Sequence, residues 1–273
     1  MTQRNIFPEP DTGIIYTKES LIERLIEICN LGWIPNARPG NDGGVGNTLE
    51  ELLGISENNL PIPNATEWEL KAQRSTTTSL TTLFHCEPSP TALRFVPSIF
   101  LPKYGWSHAE AGLRYPPGEK SFRQTISGLN YSDRGFSVFV NRKESKVEIT
   151  FDFKRVDKRH SDWLESVRTR AGLHDLNPRP YWGFEDLFHK AGTKLKNTFY
   201  VLADSTRVNG KEFLHFKKIY KLNGFSIDGL ISGIEKGYMY VDFDARTGHN
   251  HGTKFRLRQN YLPHLYNSIE EIL

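Results

Sequence analysis

Cysteine is scarce in this 273-residue chain, with Cys29 and Cys86 its only two. A disulfide framework and a four-cysteine zinc site are therefore both excluded. No apolar run approaches the roughly 18 residues of a membrane helix. The opening Met1-Thr2-Gln3-Arg4-Asn5 also lacks the apolar stretch of a signal peptide. Together these absences predict a protein with no membrane partner in a reducing cytoplasm. Strong charge of one sign is missing too: the net charge is +3, which alone gives no reason to expect a nucleic-acid partner. No internal repeat or low-complexity tract stands out.

The composition that remains, 37% hydrophobic and 25% charged, is that of a soluble globular protein. The length suits one large domain or two lobes, with enough chain for a real core. Charge is uneven along it. Between Lys190 and Arg258 there are 13 Lys+Arg against 6 Asp+Glu, a local balance of +7 that leaves −4 for the rest. An acidic part joined to a basic part fits a metal-binding half and a phosphate-gripping half. It equally fits ordinary solvated faces. A boundary near Asn177-Pro178-Arg179-Pro180 would divide the chain into 1–177 and 178–273.

Spacing and turn signals predict the elements. Ser20 to Glu23 reads as a capping box before apolar residues at helical spacing, ending near Asn30-Leu31-Gly32. A glycine-rich loop, Gly40 to Asn47, precedes a short helix from Thr48 through Leu53, stopped by Gly54. From Arg74 to Thr82, Ser and Thr fill seven of nine positions. Phe136–Val140 and Val147–Phe153 alternate as a hairpin, and Asn209-Gly210 marks another turn between strands. Helices are predicted over Ser161–Thr169, Phe184–Ala191 and Ser226–Glu235. Strands follow over Tyr238–Asp244 and Thr253–Leu257. The mixture has no regular βαβ beat, so the fold class is mixed α/β, or α+β.

The most informative short segment is Glu67-Trp68-Glu69-Leu70-Lys71. In a strand, alternate side chains share a face, so Glu67, Glu69 and Lys71 would line one side. Trp68 and Leu70 would face a core. Two carboxylates beside an ammonium suit a divalent metal used for phosphodiester hydrolysis. A half-exposed strand with an internal salt bridge is the structural alternative. The glycine-rich loop permits either an anion site or a turn needing positive φ. Glu50 and Glu51 in the next helix point to different faces, so either could add a supporting carboxylate.

A second cluster runs from Asp242 to Arg258, with two His, three Arg, one Lys and two Asp within 17 residues. Arg can fork onto guanine, Asp can accept from cytosine, and His can do either at a base edge. Arg256 and Arg258 alternate with Phe255 and Leu257 and leave one face of a strand. A metal site built on His249 and His251, or a charged hairpin rim, would use the same residues differently.

Four segments together resemble the MvaI/BcnI family of type II restriction endonucleases, relatives of the repair nicking enzyme MutH. They are Asp42 to Gly46 with Thr48-Leu49-Glu50, Leu52 to Ile55, Glu69-Leu70-Lys71, and His249-x-His251-Gly252-Thr253-x-Phe255-Arg256. The resemblance implies a MutH-like fold with a catalytic and a recognition lobe around a DNA cleft. It implies Mg2+, replaceable by Mn2+, held at Glu69, with Lys71 beside the attacking hydroxide and Glu50 as a supporting acid. Asp244, Arg246, His249, His251 and Arg256 fall on base-reading positions, and Arg258 extends the same strand face. One departure is informative: the family's first Asp is replaced here by Asn64, which can ligate magnesium but carries no charge. Glu67 is placed to restore that charge.

The expected activity is site-specific cleavage of double-stranded DNA by a monomer, with a short GC-rich target and a cognate DNA methyltransferase in the same system. Two alternatives stay open: a DNA-binding protein that lost catalysis through Asn64, and a MutH-like nicking enzyme that waits for a partner.

Overall fold

Leu21, Leu25 and Ile28 recur on one helical face, and that face is the one the chain buries. The computed structural model describes residues 15–40, 43–55 and 68–273. In chain order its elements begin with α1 (Lys18–Cys29), β1 (Ile34–Pro35), α2 (Gly44–Leu53), β2 (Trp68–Arg74) and β3 (Leu80–His85). A π-helical segment, Val96–Tyr104, leads to β4 (Trp106–Ser107), β5 (Lys120–Ser127), β6 (Arg134–Asn141) and β7 (Lys146–Val156). Next come α3 (Ser161–Ala171), β8 (Tyr181–Gly183), α4 (Phe184–Leu195), β9 (Asn197–Val208) and β10 (Lys211–Phe225). The chain closes with α5 (Ile227–Glu235), β11 (Met239–Arg246), β12 (His249–Asn250), β13 (Lys254–Arg258) and β14 (Tyr266–Glu271). The mixed α/β class is as expected.

Two compact units emerge, and they interleave along the chain. One takes the residues up to Ser79, then Gly192–Phe225 and Gln259–Leu273; the other takes Leu80–Ala191 and Ser226–Arg258. A single division at 177/178 is therefore not what the contacts give. The Asn177-Pro178 step lies inside the second unit, and the basic stretch from Lys190 to Arg258 is shared between both. The reason is sheet pairing. β9 and β10 pair with β1, β2 and β14, whereas β11 and β13 pair with β3 and β5.

The first unit holds a sheet ordered β1-β10-β9-β2, with β14 also on β10. All its pairings are antiparallel except β2 on β9, where Glu69 lies opposite Thr198 and Lys71 opposite Tyr200. Leu21, Leu25, Leu49 and Leu52 from α1 and α2 cover Phe199, Val201, Leu214 and Phe216 on one face. Trp68, Leu70 and Ala72 pack against the same core. The Asn209-Gly210 turn behaves as its residues require: both adopt positive φ, 50° and 76°, and join β9 to β10.

Two local expectations shift. The capping box of α1 belongs to Thr17, whose side chain receives the Ser20 backbone N–H while Ser20 bonds back to Thr17. A helix begun at Thr17 satisfies these donors a turn earlier than Ser20 would. α2 also starts sooner, at Gly44, so Gly44 and Gly46 are helical. Gly44 is required for approach rather than for φ: a Cβ there would sit 2.6 Å from the Arg38 carbonyl oxygen.

The second unit carries a sheet ordered β3-β13-β11-β5-β4 with β12 on β11, and a smaller sheet β6-β7-β8. Its core is aromatic. Phe100 lies within 5.0–6.4 Å, ring to ring, of Tyr104, Phe122, Phe136 and Phe243. Phe100 comes from the π-helical segment in the proline-punctuated stretch, where periodicity gives no reading. No helix among the described residues is long and apolar enough to cross a membrane.

Candidate active site and reading face

β2 is the edge strand of its sheet among the described residues, and its alternation sorts the side chains as expected. Trp68 stacks on Phe199 at 4.6 Å on the core side. On the other side Lys71 Nζ lies 2.6 Å from Glu69 Oε1, each side chain 27% exposed. A pair this accessible stabilises a fold by about 1 kcal/mol or less. Stability is thus a weak reason to place it beside the buried Phe199 and Tyr200.

The neighbouring strand supplies two polar groups that sequence reasoning missed. Thr198, opposite Glu69, is fully buried, and its hydroxyl lies 2.6 Å from the Tyr266 hydroxyl. Burial, reinforced by the Glu69 charge, pushes the Tyr266 phenol well above its ordinary range, so it stays protonated. Nothing local in the sequence signals this: Tyr266 lies 68 positions from Thr198. Glu50 is half-buried on α2, which packs against β2. Asn64 and Glu67 lie outside the described residues.

A hard divalent cation needs several oxygen ligands. Glu69 offers a half-exposed carboxylate beside an ammonium, which fits one ligand of such a set. Among the described residues, no group of three or more His, Cys, Asp or Glu could hold a metal by itself. No described His, Cys, Asp or Glu completes such a group with His249 and His251.

The second constellation is spread over one face of the β3-β13-β11-β5 sheet. β11 alternates so that Met239, Val241, Phe243 and Ala245 are buried, while Tyr240, Asp242, Asp244 and Arg246 face outward. β13 buries Phe255 and Leu257 and turns out Lys254, Arg256 and Arg258. Asp244 sits between two cations, accepting from Arg123 Nε at 2.9 Å and Lys254 Nζ at 3.3 Å. Burial pulls the Asp244 carboxyl upward, but these two cations outweigh it and hold it below its ordinary value. Asp242 receives the Thr125 hydroxyl at 2.7 Å and lies 3.5 Å from Arg256.

Arg246 is held by the buried Glu119 at 3.1 Å and lies over the Tyr115 ring at 4.6 Å. Arg258 Nε donates to the Tyr240 hydroxyl at 2.8 Å. His249, paired with Arg246 across the β11–β12 turn, is exposed, as is His251, whose backbone N–H reaches the Asp244 carbonyl. The six sequence-derived reading residues therefore gather on or beside one sheet. Arg123 and Thr125 join them from β5. The alternation of outward Arg123, Thr125 and Ser127 with buried Phe122 and Ile126 was an available signal for that strand.

Charged groups fixed in place by partners cost less ordering on binding than free ones. A carboxylate–lysine pair and a separate face of fixed charges on one mixed α/β chain suit a site-specific nuclease. The comparisons agree: the MvaI/BcnI restriction endonuclease family model matches residues 22–266, so the chain belongs to that family and is a sequence-specific DNA endonuclease. Two solved structures are similar in fold. A restriction endonuclease MvaI–cognate DNA substrate complex is 24% identical, with TM-score 0.68, covering 93% of this chain and 97% of that one. Restriction endonuclease MvaI in the absence of DNA is 22% identical, with TM-score 0.56, covering 93% and 96%. No curated protein matches the sequence.

Proposed function

We propose that this endonuclease hydrolyses phosphodiester bonds in double-stranded DNA with a magnesium-activated water. The observation that carries the reading is the Glu69–Lys71 pair on the open edge of β2. Glu69 would hold the metal, with Asn64 and Glu67 as further ligands and Glu50 as a supporting carboxylate. When bound, the ion supplies a Lewis acid and a water of lowered pKa, and manganese can replace it. Lys71 would stabilise negative charge that develops at the phosphoryl group. The buried Thr198–Tyr266 pair keeps the floor beneath Glu69 neutral and proton-rich.

Base reading is assigned to Asp244, Arg246, His249, His251, Arg256 and Arg258. The fixed charges on this face support that assignment, because side chains already in place can discriminate bases without reordering. The chain is proposed to act as a monomer in the cytoplasm. A cognate DNA methyltransferase would be needed to protect the host's own sites.

Incubating the protein with plasmid DNA and magnesium, then sequencing the ends, tests the activity and gives the site. A protein that binds one duplex tightly yet never cuts it with magnesium or manganese would instead be a non-catalytic DNA binder. Two variants examine the ligand set. Glu67→Ala should cut more slowly than the parent and need more magnesium, and Asn64→Asp should need less. Equal rates for Glu67→Ala and the parent would remove Glu67 from the site.

Arg256→Ala should weaken binding to the recovered site by about 1–3 kcal/mol and relax discrimination at one base pair. Anisotropy titrations without divalent metal, on cognate and single-substituted duplexes, read this directly. A uniform loss on every duplex would make Arg256 a backbone contact.

A further inference from the structure

Gly40, at the start of the glycine-rich loop, and the Ser/Thr-rich stretch after β2 line one cavity that the nuclease reading leaves unused. Thr76, Thr77, Thr78 and Ser79 line this cavity of about 410 Å³ together with Arg74, Arg207, Glu212 and Gly40. All of these residues belong to the first unit. The lining is hydroxyl and charge, so an apolar ligand finds no partner there.

The sign of the ligand follows from the charges. Glu212 is already committed: Arg74 binds it twice, at 2.9 and 3.1 Å, and Asn36 donates at 2.7 Å. That arrangement neutralises Glu212 within the wall and leaves it a poor cation ligand. Arg207, paired with Glu212 across the β9–β10 hairpin, is exposed and adds a further positive charge. Among the described residues the lining therefore carries a net charge of +1, from two Arg and one Glu. Four neighbouring hydroxyls can donate to oxygen acceptors, and an Arg fork matches a phosphoryl group.

Arg74 ends the strand that carries Lys71, about 10 Å away at ~3.3 Å per residue, and the odd spacing turns it to the opposite face of β2. The cavity residue Arg74 therefore does not share the face of Glu69 and Lys71.

We propose that this cavity is a phosphate-binding site that grips a phosphate of the DNA backbone. The choice of DNA as the source rests on the nuclease reading; the preference for a phosphoryl group does not. The test uses the full chain without divalent metal. Arg207→Gln should weaken cognate and unrelated duplexes by the same factor and lower the slope of log K against log salt by about 0.9. Thr78→Val, which keeps every charge, should weaken both duplexes while leaving that slope unchanged.

A parallel titration with inorganic phosphate, followed by thermal shift, separates the sources. If the parent binds DNA and both variants match it in affinity and slope, the proposal is overturned while the nuclease reading survives. If the parent binds no DNA but phosphate stabilises it and not Arg207→Gln, the nuclease reading fails and the cavity is a free-phosphate site. If neither DNA nor phosphate distinguishes parent from variants, the cavity is not a phosphate site.

Discussion

Replacing Lys71 by alanine is expected to slow magnesium-dependent cleavage by about 10²- to 10³-fold, the usual cost of losing one group that stabilises developing charge. Binding to the same duplex should be nearly unchanged. The fold should survive as well, because the pair with Glu69 is a quarter exposed and contributes little to stability. Glu69→Ala makes the useful contrast. Removing Lys71 strips a competing cation from Glu69, so the magnesium requirement should fall slightly even as the rate collapses. Removing Glu69 should raise that requirement. Single-turnover rates across a magnesium titration separate the two roles. A Lys71→Ala protein that cuts at the parent rate would remove Lys71 from the chemistry.

The largest expected loss of stability is at Glu212. Its side chain is 8% exposed and its partner Arg74 is 19% exposed, so the pair is nearly withdrawn from water. Glu212→Ala would leave the guanidinium and the Asn36 amide without their acceptor. Breaking a buried pair from one side costs about 3–5 kcal/mol, and the remaining exposure of Arg74 places this case at the lower end. The pH dependence has a definite sign. Arg74 holds the Glu212 carboxyl below its ordinary value of 4.5, against the opposing effect of burial. Its contribution is complete above that ordinary value and is lost as pH falls through the depressed one. Urea denaturation should therefore show a constant gap between parent and Glu212→Ala near neutrality, narrowing below about pH 4.5. A gap under roughly 1 kcal/mol at pH 7 would show that water had already replaced the pair.

Much of the secondary structure was legible because it follows from local rules. Ser226 caps α5, Asn209-Gly210 turns the hairpin, and the alternation of β11 sorts core from surface. Glu69 with Lys71, and the charges of β11 and β13, could be found because each group lies within a few residues. What was hidden depends on pairings between distant segments. Thr198 meets Tyr266, and Asp244 meets Arg123, across 68 and 121 positions that no periodicity links. The π-helical segment that seats Phe100 contains Pro97 and Pro102, which mask any helical pattern. The interleaving of the two units was out of reach for a related reason: charge and proline placement are local signals, whereas units are defined by which strands pair.

That interleaving has a consequence for re-engineering. The chain passes from one unit to the other four times, after Ser79, Ala191, Phe225 and Arg258, and the second passage falls within α4. The face proposed to read bases therefore cannot be grafted by swapping one C-terminal block. A working chimera would exchange two inserts together, Leu80–Ala191 and Ser226–Arg258, because Arg123 from the first clasps Asp244 in the second. Donor and acceptor must travel as a matched set, so the proposed reading face is inherited by pairs of segments rather than by single ones.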